Sequence, residues 1–230
     1  MHSNTLTLPG DCECPSCRVR PPKPYYDEGG ITIYHGDCRE ILPALGTFDL
    51  LLADPPYGIS LDTSARWPWL ADQAPVANDG VPFDPAPLLG LDGRAILWGA
   101  NHYASRLPDS RGWLAWDKAT RNGLDLKQAE IEFAWSNCVT RPKCFRHMWS
   151  GAFRDSERGS RLHPTQKPVA LMAWCLALVP RAQSVIDPYM GSGPVARACK
   201  DAGKRYVGIE IDERYCEIAA KRLAQEVLFP

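Results

Sequence analysis

Residues 184–212 read Ser184-Val-Ile-Asp-Pro-Tyr-Met-Gly-Ser-Gly-Pro-Val-Ala-Arg-Ala-Cys-Lys-Asp-Ala-Gly-Lys-Arg-Tyr-Val-Gly-Ile-Glu-Ile-Asp212. Ser184–Ile186 predicts a short buried strand, and 194–202 predicts a helix closed by Gly203. Tyr206–Ile211 predicts the next strand. Between the first strand and the helix stands Gly191-x-Gly193-x-x-Ala196, a nucleotide-binding spacing in its proper context. Glycines there let the chain turn tightly and let a ligand approach backbone with no Cβ in the way. Glu210 ends the second strand, where a carboxylate can accept hydrogen bonds from both hydroxyls of a ribose. The alternative is a plain strand–helix turn with a solvated glutamate. Strand, helix and acid in register favour a cofactor loop, although spacing alone does not separate a dinucleotide from another adenosine cofactor.

Upstream, Ile31–Tyr34 predicts a strand, Arg39–Leu45 a short helix, and Phe48–Ala53 a fully buried strand. Residues 58–92 predict a long loop, 94–98, 112–116 and 131–135 further strands, and 137–166 irregular chain. Pro168 opens an apolar helix to Val179, and Glu213 begins an amphipathic helix to about Val227. Strands alternating with helices indicate an α/β, doubly wound, mostly parallel sheet of Rossmann-like type. Residues 1–30 predict an irregular N-terminal segment. Residues 31–230 predict one catalytic domain, carrying an insertion at about 117–162.

The buried strand ends at Asp54-Pro-Pro-Tyr57, on the sheet edge where open α/β folds place their sites. Pro55 and Pro56 fix φ at two consecutive positions and remove two backbone donors. The stiff turn therefore presents acceptors, the Asp54 carboxylate and the Pro55 carbonyl, beside the face of Tyr57. Such an arrangement suits a planar group bearing an NH2. The plainer alternative is a loop turn with a surface aspartate.

Three segments in order, Asp54-Pro-Pro-Tyr57, His163-Pro-Thr-Gln-Lys-Pro168 and Asp187-Pro-Tyr-Met-Gly-Ser-Gly193, resemble the amino-DNA methyltransferases. With the catalytic motif before the cofactor motif, the chain is similar to the beta class, including phage-type adenine enzymes. The resemblance implies S-adenosylmethionine as cofactor, DNA as partner and transfer to the N6 amine of a flipped adenine. It implies Asp54, Pro55, Pro56 and Tyr57 as catalytic. Asp37, Cys38, Thr165, Gln166, Lys167, Asp187, Pro188, Tyr189, Gly191, Ser192, Gly193 and Glu210 would hold the cofactor, with Lys167 near its carboxylate. The family commonly has a hydroxyl residue where Pro194 stands, so one contact is lost while the helix start is kept. N4-cytosine transfer shares this geometry, but a serine often replaces the aspartate in those enzymes. An RNA or protein-amide methyltransferase is a further alternative. An NAD-dependent oxidoreductase would leave Asp54-Pro-Pro-Tyr57 unexplained. C5-cytosine chemistry lacks its Pro-Cys dipeptide.

The chain has 230 residues and a net charge of -1, which argues against a uniformly basic nucleic-acid binder. That figure is a cancellation: residues 49–100 carry a net of -5 and residues 101–167 a net of +5. Arg141, Lys143, Arg146, Arg154, Arg158 and Arg161 lie among aromatics including Trp149, which makes 141–162 the DNA-contact candidate. Residues 60–80 form a second candidate loop. The region is short for a recognition domain, which predicts a short or relaxed target sequence. The longest apolar run, Val169–Val179, falls well short of the roughly 20 residues a membrane helix needs. The N-terminal residues lack the pattern of a secretory signal, and the protein is expected to be cytoplasmic. Nine cysteines, six in core-like segments, suit buried thiols. Cys12, Cys14 and Cys17 are too few to complete a zinc site alone, and a metal role stays open. A homodimer also stays open.

Overall fold

The computed structural model describes residues 20–60, 79–91, 93–119, 129–150, 153–157 and 165–225. The strands are β1 (Tyr26–Glu28), β2 (Ile31–His35), β3 (Leu50–Ala53), β4 (Arg94–Trp98), β5 (Gly112–Asp117), β6 (Ile131–Ser136), β7 (Lys143–Arg146), β8 (Trp149–Ser150), β9 (Phe153–Arg154), β10 (Ser184–Asp187) and β11 (Arg205–Glu210). The helices are α1 (Cys38–Ile41), α2 (Ala86–Leu89), α3 (Val169–Leu178), α4 (Pro194–Asp201) and α5 (Glu213–Ala224).

Nine strands form one sheet in the order β1-β2-β11-β10-β3-β4-β6-β5-β7. The five from β2 to β4 are parallel. Their carboxyl ends therefore share one edge, and Asp37, Asp54, Gly99, Asp187 and Glu210 all lie at it. β6 runs antiparallel to both β4 and β5. The expected doubly wound, Rossmann-like sheet is present.

Alternation along the strands decides which side chains meet which layer. Leu50, Leu52, Ile96, Trp98, Leu114 and Trp116 face the core shared with α3, α4 and α5. Their neighbours Leu51, Ala53, Ala95, Leu97 and Trp135 face the opposite side, against Phe83, Leu88 and Tyr103. Helix α3 is apolar nearly all round because it lies between other elements, burying Leu171, Met172, Cys175 and Leu176.

Some expectations need correction. Within 1–30, Tyr26–Glu28 forms β1, an antiparallel edge against β2. Residues 137–166 are not uniformly irregular: β7 joins the main sheet parallel to β5, and β8 pairs with β9. Tertiary pairing overrides a charged local sequence there, as it commonly does for edge strands. Pro168 is the residue before α3, with ψ 143°, and not its first turn. Of the six cysteines expected in the core, Cys175, Cys199 and Cys216 are buried, Cys38 and Cys138 are half-buried, and Cys144 is exposed on β7. Cys12, Cys14, Cys17, Arg158, Arg161 and most of the 60–80 loop lie outside the described residues. Among the described residues no helix is long and apolar enough to cross a membrane, and no three His, Cys, Asp or Glu residues gather as metal ligands.

Candidate active site

Strand β3 delivers Asp54 to the carboxyl edge, and the two prolines stop it there. Tyr57 folds back so that its hydroxyl donates to Asp54 Oδ1, 2.5 Å away. Its ring stacks on His102 at 4.8 Å and 13°. Gly99, just past β4, has φ +70°, and a Cβ placed there would stand 1.8 Å from Tyr57 Cε1. Gly99 is thus the floor on which the Tyr57 ring lies. Asp79 supports the turn from the far side, accepting from the backbone N–H of Gly58 at 2.9 Å and Ile59 at 3.3 Å.

Lys167, 4% exposed, brings its ammonium to the Asp54–Tyr57 turn. It donates to Asp54 Oδ2 at 2.7 Å and to the Tyr57 hydroxyl at 2.9 Å, and lies 3.1 Å from Glu132 Oε2. Lys118 donates to the other Glu132 oxygen at 2.5 Å. Four charges therefore alternate in sign, Lys118, Glu132, Lys167 and Asp54, the two lysines buried and the two carboxylates half-buried. Burial pushes the Asp54 carboxyl up, and the Lys167 ammonium opposes that rise. Burial also acts against charge on Glu132, yet the two lysines outweigh it and hold the carboxyl down to about 2. On Lys167 burial is likewise outweighed, by Asp54 and Glu132, and the ammonium is held above its ordinary value. Tyr57, raised by burial and then by Asp54, stays a phenol and can only donate to the carboxylate.

The glycine loop lies one strand over. Gly191 (φ +53°) and Gly193 (φ +74°) are left-handed, which favours glycine at both positions. Gly193 precedes α4, and Pro194 occupies its first position, as its missing N–H allows. Glu210 accepts from the N–H of Gly191 at 2.8 Å and of Asp212 at 2.9 Å. Asp187 is buried, accepts from Tyr189 N–H at 3.1 Å, and is pushed up to about 8 chiefly by desolvation. Pro188 is buried behind it. The Ser192 hydroxyl is buried with no hydrogen-bond partner among the described residues. Arg222 donates to the Ser192 carbonyl at 3.1 Å and also pairs with Glu157.

At the end of β2, Asp37 caps α1, accepting from Arg39 N–H at 2.9 Å, and the bonds from Arg39 hold its carboxyl low. The Cys38 thiol, raised by burial, lies against the Tyr189 hydroxyl. Thr165 and Gln166 precede Lys167, and the Gln166 side chain reaches Glu157 at 3.3 Å. Trp149 is 4% exposed, with its indole N–H on the Gln166 carbonyl, so its face is unavailable to a nucleic-acid base. Arg154 lies over that ring at 4.9 Å. Arg141, Lys143 and Arg146 are exposed along the β7 edge.

Gly99, His102, Asp79, Lys118 and Glu132 are absent from the sequence-based assignment. Glu132 carried a signal, as a lone acid inside the apolar run Ile131-Glu-Phe-Ala-Trp135. Gly99 carried a weaker one, closing a buried strand.

Comparison with known proteins places these features in context. A DNA methylase family, of the N6 and N4 type, matches residues 96–221. The type II methyltransferase M2.DpnII of Streptococcus pneumoniae is 35% identical, over 89% of this chain and 93% of its own length. The crystal structure of an M1.HpyAVI–SAM complex superposes with a TM-score of 0.50 at 25% identity, covering 84% of this chain and 99% of that one. The PvuII DNA methyltransferase, cytosine-N4-specific, superposes with a TM-score of 0.58 over 90% of this chain and 91% of its own. At 14% identity it shares the fold alone.

Proposed function

This chain belongs to the N6/N4 DNA methylase family, and from that premise we propose that it methylates the N6 amine of adenine in DNA, with Asp54 as the acceptor of the amine. The observation that carries the choice of adenine is the aspartate itself, half-buried and held by Lys167, at a position where the cytosine-N4 enzymes often have serine.

The cofactor is S-adenosylmethionine, and the loop fits it. Two left-handed glycines open the backbone, the Ser192 hydroxyl awaits a partner, and the buried Asp187 carboxyl favours a cationic neighbour. Glu210 keeps lone pairs for ribose hydroxyls beyond its two backbone donors. Asp37, Cys38, Pro188 and Tyr189 line the same edge, whereas Thr165 and Gln166 lead into Lys167. When bound, the group supplies an electrophilic methyl on sulfonium.

The adenine amine is a poor nucleophile because its lone pair is delocalised into the ring. Asp54 and the Pro55 carbonyl accept hydrogen bonds from its two N–H groups and favour a pyramidal nitrogen. The N–C bond forms as the C–S bond breaks, and the nitrogen then loses one proton to the Asp54 carboxylate or to water. Positioning and fixed charge supply the acceleration. The base must leave the duplex to reach this edge. Its amine competes with the Tyr57 hydroxyl for Asp54 Oδ1, so Tyr57 turns as the base arrives.

The test is to incubate the protein with cofactor labelled in its methyl group and unmethylated DNA, then digest to nucleosides. Label is expected in N6-methyladenine. Label confined to N4-methylcytosine overturns the choice of base, and label in neither overturns transfer to a DNA amine.

We also place the DNA backbone along β7, the edge strand of the proposed 117–162 insertion. Changing Arg141, Lys143 and Arg146 together to glutamine is expected to weaken DNA binding. The slope of log affinity against log salt should fall by about 2–3. Cofactor affinity should stay unchanged. An unaltered slope removes this edge from the interface.

A further inference from the structure

We propose that Glu132 is a positioning residue for methyl transfer: backed by Lys118, it holds the Lys167 ammonium on Asp54 Oδ2 while Tyr57 turns away and the target amine arrives. This rests on Asp54 being the amine acceptor. Three oxygens surround the ammonium: it donates to Asp54 Oδ2 at 2.7 Å and to the Tyr57 hydroxyl at 2.9 Å, and Glu132 Oε2, which has no hydrogen-bond partner among the described residues, faces it as an ion pair at 3.1 Å. Two of these belong to the Asp54–Tyr57 turn, whose tyrosine moves in the reaction. Glu132 belongs to β6, which lies between β4 and β5 in the sheet, and its own backbone pairs with Trp116 of β5. It is the anchor that does not move when the amine displaces the tyrosine.

Charge gives the second half of the argument. Methyl transfer moves positive charge from sulfur to the amine nitrogen, next to Asp54. A lone Lys167 cation beside the same carboxylate would oppose that development. Glu132 cancels the Lys167 charge locally, so the reacting nitrogen meets Asp54 with its negative charge effective. Lys118, 7% exposed, donates to the other Glu132 oxygen and lies 5.4 Å over the Trp116 ring, so it fixes the Glu132 carboxylate from the side away from Lys167. The groups facing Lys167 are thus Asp54 and Tyr57 from the turn and Glu132 from β6, with Lys118 behind Glu132. The high position of the Lys167 ammonium agrees with this geometry.

The experiment compares wild type, Glu132→Gln and Glu132→Asp as full-length protein. One readout is steady-state methyl transfer to DNA. The other is the Lys167 titration, followed by NMR of protein labelled at lysine Cε and Nζ. Glu132→Gln is expected to lower kcat at least tenfold, with KM for cofactor and for DNA within about threefold of wild type. Its Lys167 midpoint should fall by about one pH unit, because one of two carboxylate partners is gone. Glu132→Asp keeps the charge and should restore the midpoint and part of the rate. A Glu132→Gln protein with wild-type kcat and an unmoved Lys167 overturns the proposal. So does one whose kcat falls while the Lys167 titration stays put, since that is the signature of a merely structural strand residue. A wild type that transfers no methyl to DNA amines, with the Lys167 shift intact, overturns the functional reading and leaves the Glu132–Lys167 coupling standing.

Discussion

Asp54→Asn is expected to lower the rate of methyl transfer by about 10³-fold or more, while cofactor binding stays within about threefold of wild type. The change keeps the shape of the side chain and removes its charge. An amide oxygen still accepts one amino proton, but it does not stabilise the positive charge that grows on the nitrogen. The amide also turns a donor toward Lys167 or toward the incoming amine, whichever its rotation selects. Lys167 keeps Glu132 as a partner at 3.1 Å, so the protein is not left with an isolated buried cation. Single-turnover rates at saturating cofactor and DNA measure the effect directly. A residual rate within tenfold of wild type means that Asp54 does not accept the amine, and the proposed chemistry goes with it. Asp54 is separated from the glycine loop by one strand boundary, so calorimetry of cofactor binding serves as the internal control.

The sheet was legible because its central strands are nearly unbroken apolar runs, and because the glycine loop joins a strand to a helix in register. Leu50–Ala53 and Ser184–Asp187 are buried along their whole length, as parallel strands covered on both faces must be. The edges were less legible. Lys143-Cys-Phe-Arg146 has the composition of a surface loop, and only pairing with β5 makes it a strand. The same distinction runs through the site. Asp54, Tyr57 and the two glycines carry local signatures, a proline pair or a spacing, that survive without a fold. The partners that tune them do not. Asp54 meets Lys167 across 113 residues of chain and through it reaches Glu132, and no local pattern encodes such a meeting. Family resemblance alone points Lys167 toward the cofactor carboxylate. In the structure its ammonium lies between the Asp54 and Glu132 carboxylates, which as neighbouring like charges are stabilised by a cation between them. Trp149 lies among cations in the sequence, which suggests a DNA contact, but in the structure packing buries it.

Gly99→Ala is expected to lower kcat about 100-fold with little change in cofactor affinity, through Tyr57 alone. Two costs arise. An alanine at φ +70° pays about 1–2 kcal/mol for the left-handed conformation. Its Cβ, at 1.8 Å from Tyr57 Cε1 and 2.3 Å from Cδ1, also overlaps the ring outright, so the ring must move by more than an ångström. Displacement breaks the stack on His102 and takes the ring from its place beside Asp54, where its face is to meet the flipped base. A misplacement on that scale costs about 10² in rate when it touches the reacting geometry. Reduced stability could mimic the loss, so the discriminating measurement is a double-mutant cycle with Tyr57→Ala. Truncating Tyr57 empties the space that the new methyl needs. If Gly99 acts through Tyr57, adding Gly99→Ala to Tyr57→Ala should cost less than about threefold further in kcat, against 100-fold alone. Additive losses would show instead that Gly99 serves the backbone of the 100–102 turn, and that the ring needs no floor. Because the turn after β4 is held by the His102 N–H bond to the Gly99 carbonyl at 2.9 Å, which either side chain at 99 permits, the cycle separates the two causes.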